Sequence, residues 1–271
     1  MPCIVLTVPD RHGPGVLLAP RGMATPNGTT AGLAVTGGTV RQVEETTCGQ
    51  TAAAIETNGG AVELRYEVAP TAAPYPDAMF QTRDSRFTRA AQALIDDATA
   101  LAAAPDPAHA VAQHVASLFS YGHPDTRYYD DQDTLPQLCS LTVGSCVDIN
   151  AYFIASLRAA GVDAGYVTGY FFPAEKTDPD GAAWCNDMHC WVVTRDAQGI
   201  REWDIAHHMK AGLDTIAPAL NPKPGRRFAV AHSMGLSFPE LALSDIKLIA
   251  EPMWVSQGRL TDAEVSIRFA P

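Results

Sequence analysis

Apolar and polar residues alternate cleanly over Ala61-Val62-Glu63-Leu64-Arg65-Tyr66-Glu67-Val68, the period of a half-buried strand. Cys3 to Val8 also reads as a strand, and Thr39 to Thr46 alternates in part. Turn-forming clusters lie between these runs, at Pro26-Asn27-Gly28, Gly37-Gly38 and Asn58-Gly59-Gly60. The prolines of Ala69-Pro70-Thr71-Ala72-Ala73-Pro74-Tyr75-Pro76 cannot continue a ladder, so a linker is expected there. Residues 1–75 are therefore predicted to form a β-rich N-terminal unit, followed by a second unit over 76–271.

The pattern then changes to helical. Arg86 to Ala103 places Phe87, Leu94, Ile95 and Leu101 on one face. Pro107 suits the first turn of a second helix running to Phe119, with Val111, Val115 and Leu118 as its stripe. Residues 122–140 are irregular and acidic. A third helix is predicted from Ser145 or Cys146 to a stop at Gly161, a residue suited to the left-handed turn that ends helices. Strand patterns follow at Gly165 to Phe172, Cys190 to Thr194 and Ile200 to Ile205, with Gln198-Gly199 as a hairpin turn between the last two. Strands, then helices, then antiparallel strands make an α+β arrangement rather than an alternating βαβ one.

Charge narrows the partners. Lys and Arg number 19 against 30 Asp and Glu in 271 residues, a formal charge of −11. That balance argues against nucleic acid and against docking on an anionic membrane, and it suits a weakly cationic substrate. Hydrophobic residues at 46% and charged residues at 18% describe a globular protein with a core. The first residues show neither a cationic n-region nor a long apolar h-region, so a cytoplasmic location with six reduced thiols is expected.

Three residues carry candidate chemistry. Gly144-Ser145-Cys146-Val147-Asp148 puts a thiol at a helix start, where partial positive charge and unpaired N–H groups favour the thiolate. The same N–H groups suit an oxyanion. A buried, inert core thiol is the alternative for Cys146. His189 stands at the mouth of an apolar strand, where it could meet the nucleophile or be a satisfied polar residue. Asp204 lies late on the partner strand of the hairpin, near His189, as an orienting carboxylate or a simple turn cap.

Other residues offer weaker signals. Gln137 could supply a second oxyanion donor or be a loop glutamine. Trp184 and Trp191 flank His189 and could wall a cleft or fill the core. His207-His208, read as strand residues, would face opposite ways, so at most one could join a site. Tyr128-Tyr129-Asp130-Asp131 reads as a solvated loop, or as an entrance for a cationic acceptor. Cys139, Cys185, His189 and Cys190 could bind zinc, but they lack the paired close spacings such sites use. No metal or other cofactor is expected.

The segments Gly144-Ser145-Cys146-Val147-Asp148, Leu157-Arg158-Ala159-Ala160-Gly161-Val162-Asp163-Ala164, Val167-Thr168-Gly169-Tyr170, His189-Cys190-Trp191-Val192 and Trp203-Asp204 together resemble the transglutaminase-like superfamily, over roughly residues 85–210. The resemblance implies a papain-like core, a nucleophile-bearing helix packed on an antiparallel sheet, and makes 76–271 the catalytic core. It implies Cys146 as nucleophile, His189 as general base and acid, and Asp204 as orienting carboxylate. Bacterial members carry a similar β-rich N-terminal segment. The implied activity is acyl transfer through a thioester on Cys146, with hydrolysis of a peptide-like amide expected first. Transfer to an amine acceptor, or a catalytically silent peptide-binding module, is the alternative. Cys190 occupies a position where the family usually has a small residue such as alanine.

Overall fold

In the computed structural model, which describes residues 1–11 and 13–271, a four-stranded antiparallel sheet lies at the centre, in the order Gly199–Trp203, His189–Asp196, Asp163–Pro173, Gly225–His232. Four helices of at least six residues accompany it: α1 (Gln92–Thr99), α2 (Pro107–Leu118), α3 (Cys146–Ala159) and α4 (Ile205–Lys210). The helix α3 is apolar nearly all round, and accordingly it is buried nearly all round. Its neighbours include Ala164, Tyr166, Cys190 and Val192 of the sheet, with Val111, Ala112 and Val115 of α2 in the same cluster. Gly161 adopts φ +79° just beyond α3, the conformation its place in the sequence predicts.

The strand His189–Asp196 is buried on both faces because alternate residues serve different cores. Cys190 and Val192 face the helices. Trp191 and Val193 pack on the other side with Met79, Phe80 and Val167. Gly169 pairs with His189 on one edge, and a Cβ there would collide with the Phe228 carbonyl on the other. The missing side chain lets the Gly225–His232 strand approach closely.

Two further sheets form the β-rich part. One has six strands and includes Cys3–Arg11, Gly28–Thr36 and Gly60–Ala69; the other has five and includes Gly15–Pro20, Thr39–Glu44 and Thr51–Thr57. Ile4, Leu6, Leu17, Ala19, Ile55 and Leu64 share a core that Tyr170, Phe172 and Val230 of the central sheet also enter. The expected boundary at residue 75 is not followed by the strand pairing. Ser266–Ala270 pairs with Cys3–Arg11, and Met253–Ser256 pairs with Gly15–Pro20. The N-terminal sheets are thus completed by the end of the chain, and by Ala183–Cys185 from its middle.

The predicted helix over Arg86–Ala103 shrinks to α1. Its first residues are held elsewhere: Leu135 N–H donates to the Arg89 carbonyl, and Ala91 N–H donates to the Leu135 carbonyl. Ile200–Ile205 ends as a strand at Trp203 and turns into α4, so His207 and His208 are helical rather than strand residues. Among the described residues no helix is long and apolar enough to cross a membrane.

Candidate active site

Cys146 is the first residue of α3, and the local sequence holds it there. Ser145 precedes the helix, and its N–H and Oγ–H both donate to Asp148 Oδ2, at 2.8 and 2.7 Å. This is a capping box with an aspartate in the acidic position. Asp148 is fully buried, yet its carboxyl lies below the usual range. Burial opposes this, and Ser145, Arg127 and Tyr129 outweigh it with hydrogen bonds. The first-turn N–H groups of α3 have no intrahelical carbonyl partners, and the Ser145 side chain takes that of Asp148.

The strand His189–Asp196 brings His189 to the same point. Its Nε2 lies 2.7 Å from Asp204 Oδ2, which leaves Nδ1 for the thiol of Cys146, with which the imidazole is hydrogen-bonded. Cys146, His189 and Asp204 are 6%, 5% and 0% exposed. Asp204 serves two roles at once. One carboxylate oxygen accepts from His207 N–H at 3.0 Å and so caps α4. The other accepts from His189 and from Arg227 Nη1, the latter at 3.0 Å.

A second imidazole supports the first. The rings of His189 and His207 stack with centroids 4.0 Å apart and 8° between planes. Nδ1 of His207 lies 3.0 Å from Asp204 Oδ2, within ion-pair range but off the axis of a proper hydrogen bond. Phe171 closes the edge of His207 at 4.4 Å. Trp191 stacks at 6.3 Å beside His189 and carries the Arg227 guanidinium 4.4 Å above its ring.

These contacts set the protonation states. Cys146 is lowered to about 5, first by a hydrogen bond from the Cys190 thiol, against the cost of burial, and then by His189. Burial disfavours a charged His189, but the Asp204 carboxylate outweighs it and raises the imidazole to about 9. Asp204 overcomes its own burial through His189 and His207 and stays well below the carboxylate range. Burial pushes His207 down to about 4, so the stacked partner is neutral while His189 is charged. The result is a thiolate–imidazolium pair from about pH 5 to about pH 9.

Two cavities, of about 540 and about 360 Å³, meet at Cys146. His123, Asp187 and Met188 line both. A thiolate at their junction, next to the first-turn N–H groups of α3, has the chemistry to attack a carbonyl.

The model of the Transglutaminase-like superfamily matches residues 88–203. Residues 88–203 are a transglutaminase-like domain. Cys146 and His189 lie inside the matched span, and Asp204 follows it by one residue. Among curated proteins, none matches the sequence. Among solved structures, the "Putative Cysteine Protease" from Cytophaga hutchinsonii shares 13% identity over 99% of this chain and 97% of its own, with a TM-score of 0.51. The periplasmic domain of TgpA from Pseudomonas aeruginosa, solved with ethylmercury bound, shares 13% identity over 77% of this chain and 91% of its own, with a TM-score of 0.36. At these identities the likeness is one of fold, and the first of them carries it. The mixed architecture around a transglutaminase-like core therefore stands.

The transglutaminase-like domain gathers only some of the candidate residues. Cys146, His189 and Asp204 come together. Trp191 lies behind His189 as a buried support rather than as an exposed cleft wall. Trp184 stands 39% exposed on the strand Ala183–Cys185, paired with the last strand of the chain, and lines neither cavity. Gln137 is half-buried ahead of α3 and also lines neither cavity. Tyr128 and Tyr129 are not a solvated loop: their hydroxyls donate to the Asp148 carbonyl and carboxylate, at 3.2 and 2.7 Å.

The cysteines considered for zinc are dispersed. Cys139 is exposed, Cys185 sits in the core of the β sheets, and Cys190 faces the helices. Among the described residues, the donor atoms of His189, Asp204 and His207 do lie within 4.8 Å of one another. Arg227 already donates to the Asp204 oxygen they share, so a divalent cation there would meet a guanidinium. That set suits a proton relay better than a metal.

Arg227 is a neighbour of the site that sequence reasoning missed, and His207, weighed there as a strand residue, reaches it from a helix. The Asp-x-x-His spacing of a helix start was visible for His207. Arg227 arrives only through pairing of Gly225–His232 with Asp163–Pro173, and no local signal announces that.

Proposed function

We propose that this domain is a cysteine-nucleophile acyl-transfer enzyme that hydrolyses peptide-like amides. One observation carries the reading: a thiolate–imidazolium–carboxylate relay, buried yet opening at the junction of two cavities.

The chemistry follows from the protonation states. The Cys146 thiolate attacks the amide carbonyl carbon, and the carbonyl π electrons move onto oxygen. First-turn N–H groups of α3 stabilise that oxyanion. His189, already an imidazolium, gives its proton to the leaving nitrogen as the C–N bond breaks, and a thioester with neutral His189 remains. Water entering by the vacated cavity loses a proton to His189 as it attacks the thioester. The C–S bond breaks, the acid leaves and the ion pair is restored. Asp204 keeps the ring aligned throughout, and Arg227 keeps Asp204 ionised.

Amine transfer is the second reading. Asp187 and Glu251 line the larger cavity, and burial, with Asp187 beside it, raises Glu251 to about 7. Such carboxylates would hold a cationic acceptor near the thioester.

Incubation with a panel of amides and esters, followed by intact-mass measurement, tests the proposal. An adduct of the acyl mass that maps to Cys146 and is absent from Cys146→Ser supports it. Unmodified protein across the panel, with no turnover, removes it. A product carrying an added amine in place of water selects the second reading.

A further inference from the structure

We infer that the larger cavity is an anion subsite, and that the substrate carries a carboxylate into it. The reaction site it serves rests on the acyl-transfer reading above.

The observation is a pair of half-buried cations without acidic partners, Arg86 and Lys247, in a cavity whose lining also holds Arg259 and the carboxylates Asp187, Asp245, Glu251 and Asp262. The chain has a formal charge of −11, yet Arg86, Arg127 and Lys247 line the cavity around the start of α3, alongside Ser145 and Cys146. Arg127 is committed to Asp148 and donates to Ser145 Oγ at 3.2 Å. Arg86 and Lys247 have no acidic partner among the described residues. The Arg86 guanidinium rests 4.4 Å over the Phe87 ring, and the Lys247 ammonium lies 5.6 Å from the centroid of Tyr129. Both side chains are half-buried, so they have lost water without gaining a counter-ion. Asp245, in the same wall, is occupied by a hydrogen bond from Ser85.

The three cations also feel one another. Burial lowers the Lys247 ammonium first, Arg127 lowers it further and Arg86 adds to this, while Asp148 and Asp130 only partly compensate. An incoming carboxylate would relieve that repulsion and take charge-assisted hydrogen bonds from both unpaired groups. Asp187, Glu251 and Asp262 line the same cavity, so the carboxylate is expected against Arg86 and Lys247 rather than beside those acids. Net charge suggests a cationic substrate; the two cations without acidic partners in this wall favour a group of the opposite sign.

Binding tests this without any turnover. Two acetylated hexapeptides, one alternating Glu with Ala and one alternating Gln with Ala, are titrated calorimetrically into the full Cys146→Ser chain. The Glu peptide is expected to bind about tenfold more tightly, an advantage that shrinks between 50 and 500 mM salt. Arg86→Gln combined with Lys247→Gln should bring the ratio near one, and Arg86→Lys with Lys247→Arg should retain it. Equal behaviour of the two peptides, whether both bind or neither does, overturns the subsite, as does a ratio that survives the Gln substitutions. Failure of acyl-enzyme formation in the mass experiment would strike the reaction assignment instead, and the two failures are read on different measurements.

Discussion

Cys146 and Cys185 are both buried thiols, and they ionise in opposite directions. Cys185 sits between the β sheets, where burial and then the Glu251 carboxylate push it up to about 12. Cys146 bears a burial cost of the same kind and still falls to about 5. The difference lies in which groups the fold aims at each sulfur. Cys146 has a thiol donor, an imidazolium and a helix start; Cys185 has one backbone N–H, of Asp187, against its burial and the carboxylates of Glu251 and Asp187. Burial alone makes a cysteine inert, and only directed donors make it a nucleophile.

The most severe way to sharpen this contrast is to remove each sulfur. Cys146→Ala should abolish turnover, a loss on the order of 10⁴-fold or more in kcat/KM. Cys185→Ala should leave kcat/KM within about threefold. A Cys146→Ala protein that retains turnover would mean that another group is the nucleophile.

Next comes the imidazole. The rate of alkylation by a neutral iodoamide tracks the thiolate, so it should rise as pH increases through about 5. Turnover also needs the imidazolium, so it should fall again through about 9, giving a bell between those values. His189→Ala removes a hydrogen bond and a positive charge that both lower Cys146. Its alkylation midpoint should therefore move to higher pH, with a rate loss at pH 6 of roughly tenfold or more. An unmoved midpoint would show that the helix start and Cys190 suffice.

The legibility of this site followed the range of the contacts involved. Helix α3 could be read because its cap, its apolar residues and Gly161 lie within one short stretch. The hairpin bearing His189 could be read because a two-residue turn joins its strands, but the turn is Ala197-Gln198 rather than Gln198-Gly199, and Asp204 lies just past the second strand. Both readings of Asp204 proved compatible, since one of its oxygens caps a helix and the other orients an imidazole. The strand Thr51–Thr57 showed no alternation because Ala53 and Ile55 enter one core and Ala52 and Ala54 another. The return of Ser266–Ala270 to Cys3–Arg11 joins residues more than 250 positions apart, as Cys3 pairs with Ala270, and nothing local encodes it.

Arg227 belongs to that long-range class and offers a smaller test of the same principle. Its side chain and that of Asp204 are both fully buried, with Glu202 as a further partner at 3.4 Å. Arg227→Gln leaves the buried carboxylate with less compensation, at a cost on the order of 3 kcal/mol in unfolding free energy. Without that buried cation the Asp204 anion relies on the imidazolium for its counter-charge, so His189 should hold its proton more tightly and the alkaline limb of the bell should move to higher pH. A full loss of stability with an unchanged bell would confine Arg227 to a structural role.

The smallest effect, and the most discriminating, concerns Cys190. Its sulfur accepts from Asn150 Nδ2 at 3.3 Å, which leaves its own proton for Cys146. Burial, and next the Cys146 thiolate, hold Cys190 well above the usual thiol range, so it stays a donor wherever Cys146 is ionised. This chain thus places a thiol proton donor against the Cys146 sulfur. Cys190→Ala should shift the alkylation midpoint of Cys146 upward and slow the reaction several-fold at pH 6, with much less effect at pH 8, where thiolate is abundant in either protein. Cys190→Ser restores a donor of similar size and should recover most of the rate. If alanine and serine behave alike, packing rather than hydrogen bonding explains Cys190, and the low value at Cys146 must come from His189 and the helix start alone.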